Sequence, residues 1–250
     1  MAWFKRSSRF TILAVALTLG LAVNVPVSVQ AQDTFRPPRT STGSPDNTQP
    51  GGTRTGGEEC MADNSSPAPL VPTSQIGATA AEYPTVYWYM PKSRAYGVEF
   101  VLRDANEQKV YSVKYSLDKY AEKGQGGTDN YFVVGAPGIM SLTVPASAGL
   151  SPLQIGQEYQ WELKVVCNDP GPDADGSQDV TINGKLKRVQ ADANLELRAQ
   201  QASPEERVAL YQNAQLWYEA VGTIVELQRQ RPTDRNLAAT WDKLLNSVGL

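Results

Sequence analysis

The stretch Glu158 to Cys167 constrains this chain more than any other. Tyr159, Trp161, Leu163, Val165 and Cys167 alternate with Gln160, Glu162, Lys164 and Val166. Strict alternation marks a strand with one face buried and one face wet. A strand that buries a tryptophan and four further apolar side chains belongs at the centre of a sheet, and this one ends in one of only two cysteines in the chain.

Other segments supply its neighbours. Thr85 to Met90 lies between Pro84 and Pro91, which bound it as a strand near an edge. Val98, Phe100 and Leu102 share one face of a strand ending near Arg103. Tyr111, Val113, Tyr115 and Leu117 share a face of the next strand, and the polar link Asp104 to Lys109 has hairpin length, so these two pair antiparallel. Gly124, Gly126 and Gly127 make Lys119 to Asn130 read as a loop. Gly138 to Pro145 and Asp179 to Val189 complete six expected strands. Short strands at this spacing predict an antiparallel β-sandwich, with which an immunoglobulin-like arrangement is compatible.

Beyond Val189 the apolar period changes. Ala191 to Gln201 is compatible with a short helix. Ser203-Pro204-Glu205-Glu206 is a helix start, with Ser as cap, Pro at the first position and Glu at the third. Leu210, Ala214, Trp217, Val221 and Ile224 then recur every three or four residues. The segment 204–230 reads as one long helix or as two separated near 213–216. Pro232-Thr233-Asp234 caps a last helix whose apolar face is Leu237, Trp241, Leu244 and Leu245. The spacing of Tyr211, Trp217, Ala220, Ile224 and Pro232 resembles a single tetratricopeptide unit. A solenoid needs about three such repeats, so these helices are expected to dock on the β-domain. The fold class is therefore α+β.

The N-terminal segment reads as an address. Lys5, Arg6 and Arg9 precede an apolar run from Phe10 to Val23, and Val29-Gln30-Ala31 offers small residues for cleavage after Ala31. The run is 14 residues, short of the ~20 that span a bilayer. Residues 1–31 are thus expected to be a secretory signal peptide, placing the mature chain in the periplasm or outside the cell without stable membrane insertion. Pro, Gly, Ser and Thr dominate 32–58, an arm with too little apolar surface to order itself. Residues 59–190 form the expected β-sandwich domain and 191–250 the helical segment packed on it. In an oxidising compartment Cys60 and Cys167 read as a disulfide, closing a loop of over 100 residues worth roughly 4–5 kcal/mol by chain entropy.

Composition narrows the chemistry. Of 23 basic and 26 acidic residues, the signal removes three basic ones and no acid, leaving net −6. That is not the footprint of a nucleic-acid binder. There is no histidine, which removes His-based acid–base catalysis, Ser-His-Asp triads and histidine metal sites. Glu99, Asp104, Glu158 and Glu162 are the carboxylates a histidine-free hydrolase could draw on, but each is better explained as a solvated strand face or turn. Asp169, Asp173, Asp175 and Asp179 cluster around a polar loop, where Asp173-Ala174-Asp175-Gly176 looks like a calcium-loop fragment. The full pattern would need further ligands where Gly171 and Ile182 stand. No catalytic, cofactor or metal site is expected. The candidate binding surface is an aromatic strip of Tyr87, Tyr89 and Tyr96, suited to a protein partner in the cell envelope or, alternatively, to a polysaccharide.

Pro84-Thr85-Val86-Tyr87-Trp88-Tyr89-Met90-Pro91, Glu99 to Asp104, Pro137 to Leu142, Tyr159-Gln160-Trp161 with Val165-Val166-Cys167, Lys187 to Val189, Leu216 to Ala220 and Trp241 to Gly249 occur in this order. Over residues 58–250 the chain resembles an exported domain family of unknown function found mainly in cyanobacteria. The resemblance implies no activity, cofactor or catalytic residue.

Overall fold

The computed structural model describes residues 60–62, 65–124, 128–169, 171 and 176–246. The expected signal peptide and the arm through residue 58 lie outside them, as do Asp173 and Asp175. The chain is α+β. Among the described residues ten strands run in order: β1 (Ala68–Pro69), β2 (Gly77–Thr79), β3 (Thr85–Met90), β4 (Gly97–Asp104), β5 (Lys109–Ser116), β6 (Lys119–Lys123), β7 (Asp129–Val133), β8 (Gly138–Thr143), β9 (Glu158–Val166) and β10 (Val180–Arg188). Four helices follow: α1 (Ala193–Gln201), α2 (Pro204–Asn213), α3 (Trp217–Gln230) and α4 (Arg235–Asn246).

The principal sheet has the order β2-β10-β9-β4-β5. β9 is its middle strand, flanked by β4 and β10 in antiparallel register. Tyr159, Trp161, Leu163 and Val165 are buried, as alternation requires. Gly184 stands directly opposite Trp161. A Cβ at Gly184 would come within 2.6 Å of the Trp161 ring, so the glycine makes room for the indole. A smaller sheet, β1-β3-β8, shares one hydrophobic core with the inner face of the first.

The structure differs from the sequence expectation in three respects. The sheet is not wholly antiparallel, because β2 pairs parallel with β10. Residues 119–130 are not simply a loop: β6 and β7 form a hairpin in the register Tyr120 to Phe132. Six strands are expected from the sequence; of the additional four, β1 and β2 are two and three residues long, β6 is exposed throughout, and β7 buries only the consecutive Phe132 and Val133, so none carries an alternating burial period.

Helix α3 packs against β3 of the smaller sheet and β2 of the larger, α2 and α4 pack on α3, and α1 packs on α2. Chain 204–230 is two helices, separated where Gln215 takes φ 58°. The capping box at Ser203 and Glu206 is formed. Three consecutive residues in the first turn of α3 fix it in place. Trp217 Nε1 donates to Leu70 O at 3.0 Å. The Tyr218 hydroxyl donates to Lys185 O at 3.0 Å and accepts from Trp161 Nε1 at 3.3 Å. Glu219 Oε1 accepts from Thr79 Oγ1, Ala80 N and Ala81 N at 2.7, 2.8 and 3.2 Å. Each residue thus grips a different part of the β-structure. Cys60 and Cys167 form the disulfide, with Cα atoms 5.4 Å apart. Ala62 N donates to Lys92 O and Arg94 N to Cys60 O, so the bridged segment also lies against 92–94.

Candidate functional site: the open edge of the principal sheet

Tyr87 and Tyr89 are 9% and 8% exposed and are no solvent-facing strip. Tyr87 lies under α3, which crosses β3 so closely that a Cβ at Gly222 would lie 2.5 Å from the Tyr87 hydroxyl oxygen. Burial raises the Tyr87 phenol above its ordinary value. Tyr96 is half-buried, its N–H donating to Val166 O and its carbonyl accepting from Leu117 N. The three tyrosines do not form one surface.

The exposed aromatic surface lies instead on β5 and the hairpin after it. Among the described residues β5 is the terminal strand of the principal sheet, paired only with β4. Val98, Phe100 and Leu102 on β4 face Tyr115, Val113 and Tyr111 on β5. The core therefore reaches the edge through Trp161, Phe100 and Tyr111, with ring centroids 6.4 and 6.2 Å apart. Cover ends there, and Tyr115 is 49% exposed. Burial, followed by contact with the Tyr115 hydroxyl, raises the Tyr111 phenol.

The hydrogen bonding of β5 has a definite polarity. Leu117 N donates to Tyr96 O, and Tyr115 O points at β4 beside Gly97. Backbone groups on a strand alternate sides. Tyr111, Val113 and Tyr115 therefore bond to β4, while the N–H and C=O groups of Ser112, Lys114 and Ser116 face outward from the sheet. An eight-residue strand of this kind offers a template for another strand.

The β6–β7 hairpin extends the surface with Tyr120, Tyr131 and Val134, at 39%, 56% and 53% exposure. It is held down by Phe132, whose ring packs 6.1 Å from Tyr120 and lies under Lys92 Nζ at 4.1 Å and Arg94 Cζ at 5.1 Å. Lys92 also pairs with Glu122 at 2.5 Å.

The carboxylates singled out in the sequence are engaged elsewhere. Glu99 takes Lys114 and, at 3.0 Å, Lys164 on the wet face of the sheet, and Lys164 reaches Asp179 at 3.5 Å. The hydrogen bond from Lys114 lowers the Glu99 carboxyl, and the one to Glu99 raises the Lys164 ammonium. Asp104 Oδ1 accepts from Asn106 N and Gln108 N, closing the β4–β5 turn. Glu158 pairs with Lys187 at 3.5 Å. Glu162 stands opposite Asn183 and Val101 on the open sheet face. Among the described residues no three His, Cys, Asp or Glu side chains converge on a metal site. A cleft of about 120 Å³ between Val71–Ile76 and Asn183–Lys185 is lined by none of these acids.

Sequence reasoning found the alternation of β5 but not its role. The available signals were Lys109 and Lys114, since lysines are a common guard on an edge strand, and the two tyrosines on its apolar face.

The fold and this edge define an α+β domain in which, among the described residues, a strand bearing Tyr111 and Tyr115 is paired on one side only. The chain belongs to the family described as Domain of Unknown Function (DUF928), which matches residues 49–250. No curated protein matches the chain.

Proposed function

We propose that this is an exported, non-catalytic interaction module of the cell envelope whose contact surface is the β5 edge. The observation that carries this reading is the union of an eight-residue unpaired edge with a half-exposed apolar strip, Tyr111, Val113 and Tyr115. Strand addition uses both parts: backbone groups supply affinity and alternate side chains supply selectivity. Export rests on the basic start, the apolar run to Val23 and the Ala31 site, and the Cys60–Cys167 bridge is compatible with an oxidising compartment. Among the described residues no helix is long and apolar enough to cross a membrane.

A photo-crosslinking residue at Tyr115, introduced in cells, tests the contact surface, with the exposed Leu197 on α1 as control. A discrete adduct from position 115 and none from 197 is expected, and it should disappear with Ser112→Pro. Equal labelling from both positions would sink the reading. The exposure of Tyr115, Tyr120 and Tyr131 favours a second reading, a polysaccharide stacked on these rings. Binding to envelope polysaccharide that is lost in Tyr120→Ala and Tyr131→Ala but kept in Ser112→Pro would favour that alternative.

A further inference from the structure

We propose that the occupant of the β5 edge is a second copy of this chain, joined antiparallel across a two-fold axis at Val113. This rests on the reading of β5 as the contact edge and specifies the partner. Register selects this pairing. In an antiparallel pair, residues directly opposite one another share a face, and those whose backbone groups point toward the partner exchange hydrogen bonds. The outward groups of β5 belong to Ser112, Lys114 and Ser116, so even-numbered residues must face even-numbered ones. A two-fold at Val113 does this: Ser112 faces Lys114 of the second copy, Val113 faces its own equivalent, and Tyr111 faces Tyr115.

The same register settles the side chains. Val113 and the tyrosines fall at the pairs that do not exchange hydrogen bonds, where side chains approach most closely. The half-exposed strip of one copy would be completed by that of the other, giving four tyrosines and two valines on the inner face. On the wet face each Lys114 meets a serine. Centring the axis on Lys114 instead would set two lysines directly opposite, which is unfavourable. Isologous pairing also closes, because the opposite edge of the sheet, β2, has only three residues and cannot accept a strand of eight. A ten-stranded sheet would result.

Sedimentation of the purified chain over a concentration series tests this. Reversible dimerisation is expected, with a Kd of roughly tens to hundreds of micromolar for so small an interface. Ser112→Pro removes an outward N–H without touching the β4 ladder, which is where an edge tolerates proline, and it should abolish the dimer while the melting temperature holds. Ser112→Glu places an acid opposite Lys114 twice per dimer and should tighten it about 2- to 10-fold, while Ser112→Lys should weaken it by a similar factor. A chain that stays monomeric to about 1 mM, or a dimer indifferent to all three substitutions, would overturn the proposal. If the chain is monomeric yet position 115 still gives a Ser112→Pro-sensitive adduct with a different protein, self-pairing fails and the edge reading survives. With no sensitive adduct at all, both fail.

Discussion

At the scale of single residues, the strongest constraints are close approaches and buried polar groups. Glu219→Ala would strip the acceptor from Thr79 Oγ1, Ala80 N and Ala81 N. A loss of about 2–3 kcal/mol is expected in urea unfolding. Gly222→Ala should cost about 1–3 kcal/mol by crowding, and because the nearest atom is the Tyr87 hydroxyl oxygen, that cost should shrink in a Tyr87→Phe background. No coupling between the two would contradict the placement of α3.

Two pH effects follow from charge. Burial raises the Tyr218 phenol far above its ordinary 10. The folded state resists losing this proton, so its contribution is whole below pH ~10 and is lost as the unfolded chain ionises above that. Tyr218→Phe should flatten the alkaline limb of the stability profile, leaving a smaller slope from Tyr87, Tyr111 and Tyr211, which are raised in the same direction. Glu99 behaves oppositely. Its folded-state value is lowered by Lys114 and Lys164, so the contribution is present above the ordinary carboxylate range and is lost as pH falls through the folded value. Glu99→Gln should reduce acid sensitivity below about pH 4.5.

At the scale of elements, legibility followed periodicity. β9 was readable because five apolar residues alternate and its neighbours on both sides are antiparallel. The start of α2 was readable because Ser203, Pro204 and Glu206 are local signals, and Ser203→Ala should cost about 1 kcal/mol. The β6–β7 hairpin was hidden by Gly124, Gly126 and Gly127, which read as loop, and by the full exposure of β6. β2 is three residues long and exists by pairing with β10, which no local pattern announces. The tyrosines show the same limit. Alternation places Tyr87 and Tyr89 on one face of β3 but does not say whether that face is buried; at Tyr87 it is the crossing of α3 at Gly222 that covers it. The edge position of β5 is likewise set by strand order, and its own residues signal it only through Lys109 and Lys114.

At the scale of the whole molecule, two devices set the organisation. The Cys60–Cys167 bridge joins the first described segment to the end of the central strand across 107 residues. Cys167→Ser should lower stability by about 2–4 kcal/mol and speed proteolysis around 60–72, and unchanged cleavage there would contradict an anchoring role. The first turn of α3 ties the helical layer to both sheets. These ties lie at the β2–β10 side of the principal sheet, and among the described residues β5 is the long edge strand at its other side.

The state of that backbone can be read amide by amide. In dilute protein, hydrogen exchange resolved to single residues should show Val113 and Tyr115 protected and Ser112, Lys114 and Ser116 exchanging fast. Raising the concentration should then protect Ser112 and Lys114 selectively. Uniform protection along β5 in dilute solution, or outward amides that stay unprotected at every concentration, would contradict the account.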